Sequence, residues 1–321
     1  MTIAVVSTGG TISSTETEEA DASPELRSDD LVEAVPELKT LTDLRTEDFA
    51  TIVSHHYTID RMYALAERVR ELDADPSVDG IVVTQGTNTL EVVSYFVDLC
   101  YGGETPVVFT GAMRNPSLTS PDGPGNLLTA VQTAMDDRAG EMGVLVAFNY
   151  RIHAARGVSK LHTTNPDTFR TPEYGPLGAV EEDRVRWHHH PIDRDPAFDP
   201  DPEALTGDVS TVVVTADMTP GTLEAAGDSA AVCLGTMGAG HLTETIVPTL
   251  EKLHADGVPI VASTLCPEGE LLRNTYECYG CENTTRALCY YSDLNLRKTR
   301  IKAIVALASD RLDDAFVPPE T

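Results

Sequence analysis

The sequence predicts a two-domain α/β protein, with a larger N-terminal domain on a parallel sheet and a smaller C-terminal α/β domain. Three observations predict it. Short β-branched runs alternate with helix-like segments from Ile3 to about Pro191, the pattern of βαβ units. Between Glu181 and Thr206 the chain is dense in charge and proline, as in Pro196-Ala197-Phe198-Asp199-Pro200-Asp201-Pro202, which reads as a linker. A second series of strands and helices follows. The expected division is 1–185 for the first domain, 186–206 for the linker and 207–321 for the second, a length that suits domains of roughly 100–200 residues.

The elements follow in order. Ile3-Ala4-Val5-Val6-Ser7 is a buried-strand signal ended by Gly9-Gly10, which free the backbone for a sharp turn. Ser13 to Asp30 is polar and acidic without apolar periodicity, the composition of a mobile surface loop. From Tyr57 to Leu72, Ile59, Met62, Leu65, Ala66, Val69 and Leu72 share one helical face. Gly80-Ile81-Val82-Val83 is a second buried strand, and Asn88 to Cys100 a second helix whose N-terminal amides favour negative charge. Beyond the linker, strands are expected at Val209–Thr215, Ser229–Gly235 and Val258–Thr264, and helices at Leu242–Ala255 and Leu296–Ser309. His188-His189-His190 lie in the linker; side chains in an extended segment alternate sides, so at most two converge and a solvated linker is the better reading.

Composition narrows the function classes. With 41% hydrophobic residues and no run of about 18 apolar residues, a soluble globular protein is expected, with no membrane span. A strand starting at the second or third residue leaves no room for a signal peptide, so the expected location is the cytoplasm. The net charge of −28, from 51 acidic and 23 basic residues dispersed along the chain, repels nucleic acids and anionic membranes. It predicts a halophilic source, since at molar ionic strength the Debye length falls to about 3 Å and self-repulsion is muted.

The chemistry centres on two loops, Thr8-Gly9-Gly10-Thr11-Ile12 and Thr84-Gln85-Gly86-Thr87-Asn88-Thr89, each a glycine-flanked threonine after a buried strand. Ligands of open α/β sheets bind outside the carboxyl ends of strands, so both loops can share one pocket. Threonine is a weak nucleophile that needs a base or cation beside it, and Lys160 in Arg156-Gly157-Val158-Ser159-Lys160 is the candidate.

With these loops, Phe109-Thr110-Gly111-Ala112-Met113-Arg114, Ser120-Pro121-Asp122-Gly123-Pro124-Gly125-Asn126-Leu127, Asn149-Tyr150-Arg151-Ile152-His153 and Asp293-Leu294-Asn295-Leu296-Arg297-Lys298 stand in the order of one family's signatures. The chain resembles the threonine-dependent, two-domain bacterial and archaeal L-asparaginases nearly end to end. That family also includes glutaminase-asparaginases and the amidase subunit of an archaeal tRNA-dependent amidotransferase; that subunit carries an extra N-terminal domain before its first threonine loop, whereas the loop here begins at residue 8, so the amidotransferase reading loses ground. The resemblance implies hydrolysis of L-asparagine, a small-molecule amide, to L-aspartate and ammonia with no catalytic cofactor, in a homotetramer built as a dimer of dimers. Thr11 would be the nucleophile and Thr87 with Lys160 a second group that positions water or relays protons. Ser54, His55, Gly86, Asn88, Ala112 and Met113 would contact substrate, and Ser13 to Asp30 would match the lid.

The chain departs from the family at three places. Asn88 stands where the family has an aspartate that partners the lysine and accepts the substrate's α-ammonium group; asparagine offers a hydrogen-bond acceptor but no charge. This leaves a weakened asparaginase, a relative acting on an amide without an α-ammonium group, or an Asp-to-Asn change introduced to quiet the enzyme; the wider alternatives are an amidase on glutamine or D-asparagine and a catalytically silent binding relative. The lid tyrosine is missing, as no tyrosine precedes Tyr57, and His55 falls where glutamine is common. In the C-terminal segment, which in the family reaches the neighbouring subunit's site, Glu277 or Glu282 is placed to supply a carboxylate across a dimer. Cys266, Cys278, Cys281 and Cys289 fit a structural zinc site, disulfides or free thiols.

Overall fold

The computed structural model describes residues 1–17, 20–24, 26–272 and 281–319, the side chains of 14–17, 20–24 and 281–283 excepted. It divides into two compact units, Met1–Ala197 and Phe198–Thr321.

The first unit begins with β1 (Thr2–Ser7), a hairpin of β2 (Ser14–Thr17) and β3 (Ala20–Pro24), α1 (Ser28–Glu33), α2 (Leu38–Leu41) and β4 (Asp43–Asp48). The segment expected to be a surface loop thus carries a strand pair and the start of a helix. Thr15 and Thr17 add β propensity, and Asp29 and Asp30 sit in the first turn of α1, where the helix dipole favours acids. The sequence continues with α3 (Ile59–Asp73), β5 (Gly80–Thr84), α4 (Leu90–Cys100), β6 (Val107–Thr110), α5 (Gly123–Ala134), β7 (Val144–Phe148), β8 (Arg151–Ala154), β9 (Ser159–Lys160), β10 (Phe169–Arg170), β11 (Gly178–Glu181) and β12 (Arg184–Trp187).

The main sheet has the order β12-β11-β8-β7-β6-β5-β1-β4. Strands β4, β1, β5, β6 and β7 run parallel, while β8, β11 and β12 join antiparallel, so the expected parallel sheet is mixed. The reversal has a local cause: β7 and β8 are joined by Asn149-Tyr150 alone, both at positive φ (50° and 61°), the turn geometry that closes a two-residue hairpin. Arg186 and Trp187, assigned by sequence to the linker, lie in β12 and pair with Ala179 and Gly178.

Strands β5, β6 and β7 are buried along their length and β1 from Ile3 onward, whereas the edge strand β4 is half-exposed, and Ile3, Val5, Val82, Val108 and Leu145 pack with Leu127 and Val131 of α5. Helix α3 buries Met62, Leu65, Ala66, Val69 and Leu72, as its periodicity predicts, and Thr58 caps it by accepting from the Arg61 amide. Helix α4 is buried on nearly every side, which its apolar composition demands.

The second unit contains β13 (Val209–Val213), α6 (Gly221–Glu224), β14 (Ala231–Thr236), α7 (Val247–Ala255), β15 (Ile260–Thr264), α8 (Cys281–Leu288), β16 (Tyr290–Tyr291), α9 (Leu296–Ala308) and α10 (Leu312–Ala315). Its sheet, β13-β14-β15-β16, is parallel throughout. The expected helix from Leu242 starts later: Glu244–Ile246 forms a 3₁₀ turn, then α7 begins with Pro248 in its first turn, where proline is tolerated. Cys289 lies in this unit's apolar core, where burial pushes its thiol up to about 12, whereas Cys266 is exposed. Cys278 and the side chain of Cys281 lie outside the described residues, as do Glu277 and the side chain of Glu282.

Near the end of the first unit, Asp195 accepts from Tyr95 Oη at 2.6 Å and pairs with Arg156 Nε at 3.1 Å, both charged side chains being largely buried. Desolvation and the Asp195 charge hold the Tyr95 phenol well above its ordinary range. Asp195→Ala leaves a buried guanidinium without this partner, and the expected cost is about 3–5 kcal/mol of stability, read from urea unfolding at fixed salt.

Candidate active site

Three loops leave the carboxyl ends of β1, β5 and β6, the position that open α/β sheets use for ligands. Their junction is a backbone contact. Gly9 and Gly10 both have φ of +91°, and a Cβ added to Gly10 would lie 2.3 Å from the Gly86 Cα. A Cβ on Gly86 would lie 2.5 Å from the Ser54 Cβ, and one on Gly9 would lie 2.7 Å from the Ile52 amide and carbonyl. Only glycine permits this approach, so the two threonine loops and the Ser54 turn close on one another.

Hydrogen bonds hold that closure. The Thr8 amide donates to the Thr84 carbonyl at 3.0 Å, and its hydroxyl reaches the same carbonyl at 2.8 Å and contacts Gln85 Oε1. Gln85 Nε2 donates to Thr89 Oγ1 at 3.1 Å, which in turn donates to the Ser54 carbonyl at 3.0 Å. Gln85 is buried, and its amide donates to the Thr110 carbonyl at 2.8 Å, joining the third loop. Asp122 accepts from the amides of Met113 and Arg114 at 3.1 and 2.8 Å, and Asn126 Nδ2 donates to the Gly111 carbonyl at 2.9 Å.

Thr11 opens a short 3₁₀ turn straight after Gly10 and is partly exposed, while the next residue, Ile12, is buried in the core with Ala112 and Leu127. Thr87 is buried, and Lys160 Nζ donates to its Oγ1 at 2.9 Å. Lys160 Nζ lies 3.5 Å from Asn88 Oδ1, so the exposed asparagine turns its neutral acceptor toward the ammonium. Lys39 and Lys160 are the lysines of the first unit, so a scarce residue type stands at the threonine.

Ser54 is buried against Gly86, while His55 is exposed and lies against His56 with ring centroids 4.2 Å apart. Tyr57 is buried behind this turn; desolvation raises its phenol, offset in part by Arg61 and Thr8. Of the sequence-predicted residues, the structure thus joins Thr87, Asn88 and Lys160 directly, and Ser54 and Gly86 by packing. Ala112 borders Ile12 through the gap at Gly123. Gln85 and Asp122 hold these loops yet were not singled out by sequence; both lie within the quoted motifs.

Residues 2–193 match the family described as Asparaginase, N-terminal, and residues 208–316 match the Glutaminase/Asparaginase C-terminal domain. The chain belongs to the asparaginase family. A glutaminase-asparaginase of Pseudomonas fluorescens biotype A is 34% identical over 95% of this chain and 86% of that protein. L-asparaginase 2 of Escherichia coli (strain K12) is 32% identical over 83% of this chain and 78% of its own. The crystal structure of a probable cytoplasmic L-asparaginase from Campylobacter jejuni superposes with a TM-score of 0.83 at 29% identity, covering 98% of both chains. The chain is an enzyme of this family, and its two-domain α/β architecture is the one it shares with that structure.

Gln85→Leu keeps the volume but removes the links to Thr8 and Thr89. The expected result is a loss of about 1–3 kcal/mol in urea unfolding, with a larger proportional fall in activity than in the folded fraction.

Proposed function

We propose that this protein hydrolyses L-asparagine to L-aspartate and ammonia, using Thr11 as nucleophile. The observation that carries this reading is the 2.9 Å bond from Lys160 to Thr87, on a loop pressed against the one that presents Thr11. The Thr11 hydroxyl attacks the amide carbonyl, and its proton is relayed to the leaving ammonia. Water then adds to the acyl ester, frees the threonine and leaves aspartate. Lys160 supports the second step, since an ammonium donating to Thr87 Oγ1 leaves that hydroxyl free to direct its own proton to a water or carboxylate. The amides at the start of α4 are suited to stabilise negative charge in the same pocket. No catalytic cofactor is invoked.

Substrate contacts are assigned to Ser54, His55, Gly86, Asn88, Ala112 and Met113, and the chemistry to the first unit. A second reading, an amide lacking an α-ammonium group, is favoured by Asn88. At that position a neutral side chain forgoes a charge-assisted bond worth about 1.5–3 kcal/mol, roughly ten- to a hundredfold in binding. Glutamine is a further candidate, as relatives such as the Pseudomonas fluorescens protein are named glutaminase-asparaginase. We also assign the protein to a salt-rich cytoplasm and a homodimer or homotetramer. The charge of −28 supports the salt, because it opposes assembly unless screened. Among named relatives, the Campylobacter jejuni protein is called cytoplasmic and one from Haemophilus influenzae periplasmic.

The test is ammonia release from L-asparagine, L-glutamine and D-asparagine in about 3 M salt, where screening favours so acidic a chain. L-asparagine is expected to react fastest. Thr11→Ala abolishes release, and Asn88→Asp raises kcat/KM for L-asparagine by about ten- to a hundredfold. Silence toward all three amides from folded protein would overturn the reading.

A further inference from the structure

Glu91 is a buried carboxylate that the chemistry above does not use. It sits in the first turn of α4, 3% exposed, on a helix whose other charged residue is Asp98, in its last turn. Its two oxygens hold β9: Oε2 accepts from the Lys160 amide at 3.0 Å and Oε1 from the Ser159 hydroxyl at 3.4 Å. The strand so gripped is two residues long, pairs through Phe169↔Lys160 and Arg170↔Ser159 and is continued by the Leu161 amide donating to the Thr168 carbonyl at 2.9 Å, so its own ladder is short. Yet Lys160 must stand where Nζ meets Thr87 at 2.9 Å. Glu91 lies four residues after Thr87 and three after Asn88, on the same short stretch of chain.

Charge adds a second argument. The carboxylate of Glu91 is no farther from Nζ than one extended lysine side chain plus a 3.0 Å bond. Burial at 3% exposure means that salt screens its field much less than that of a surface carboxylate. Two charged or titratable side chains near β9 have partners of their own. From β10, Arg170 pairs with Asp167 at 2.7 Å, and from the turn after β9, His162 Nδ1 accepts the amides of Thr164 and Asn165 at 3.0 and 2.9 Å. We propose that Glu91 is the positioning residue and counter-charge of Lys160, carrying at this site the negative charge that Asn88 lacks. The proposal rests on the amidohydrolase reading for its purpose, but not for its test.

The test follows the titration of Lys160 itself, by NMR of the full chain labelled at lysine Cε in about 3 M salt. The lysines are Lys39, Lys160, Lys252, Lys298 and Lys302, and Lys160→Arg identifies the signal. An opposite charge favours the ammonium, so Glu91→Gln is expected to lower the Lys160 midpoint by about 1 pH unit. Glu91→Asp, which withdraws the carboxylate by one methylene, lowers it less, and adding Asn88→Asp to Glu91→Gln restores it in part. The pH limb of kcat that belongs to Lys160 moves down with the midpoint, whether the lysine acts charged or neutral. A purely structural role would lower kcat and leave the midpoint in place. An unchanged midpoint in folded Glu91→Gln, or in Glu91→Asp should the first variant not fold, overturns the proposal. Silence in ammonia release overturns the asparaginase reading alone, because the titration needs no turnover.

Discussion

The contact between Gly10 and Gly86 is the constraint on which the site depends. Two backbones approach so closely that a single Cβ at either position would overlap the other loop or Ser54. Each glycine follows a buried parallel strand, and β1 and β5 are neighbours with Ser7 opposite Thr84, so register alone brings the loop roots together. The glycines then allow the loops to close, and Thr8, Gln85 and Thr89 hold them closed with hydrogen bonds. Thr11 and Thr87 are thereby presented from the same end of the sheet by loops that are packed and hydrogen-bonded to one another. This is the pre-organisation that amide hydrolysis needs, because misplacing a reacting group by about 1 Å can cost a hundredfold in rate.

Much of this was legible in the sequence for a physical reason. Strands buried on both faces are written as continuous β-branched runs, so β1, β5 and β15 are visible without a fold in hand. The α3 stripe is equally plain, since one face of that helix is wet. The hairpin turn at Asn149-Tyr150, which converts a parallel sheet to a mixed one, was harder to read. Tyrosine at positive φ is not the residue that advertises such a turn. The strand pair Arg184–Trp187 with Gly178–Glu181 was hidden by its charge, because an edge strand can be polar where it meets solvent. Acidic residues around the β2–β3 hairpin had the same effect.

For the site, glycine-threonine motifs identify the loops, but not the supports beneath them. Gln85 and Glu91 look like ordinary polar residues in a sequence. They become informative only when burial shows that each must satisfy its hydrogen bonds from neighbouring segments. Asn88 is the opposite case: its neutrality is plain in the sequence, whereas its 3.5 Å approach to Lys160 comes from the structure. The surface charge and the site charge thus follow different rules. Dispersed exposed acids respond strongly to salt, while a buried carboxylate is screened much less.

The most direct test of the account is Gly10→Ala, assayed for kcat/KM on L-asparagine alongside thermal unfolding. The added methyl forces the first loop away from Gly86 at a φ that alanine disfavours. The account predicts a folded protein whose activity falls by about a hundredfold or more. Activity within about twofold of the parent, with the same unfolding temperature, would show that the glycine contact does not assemble the site.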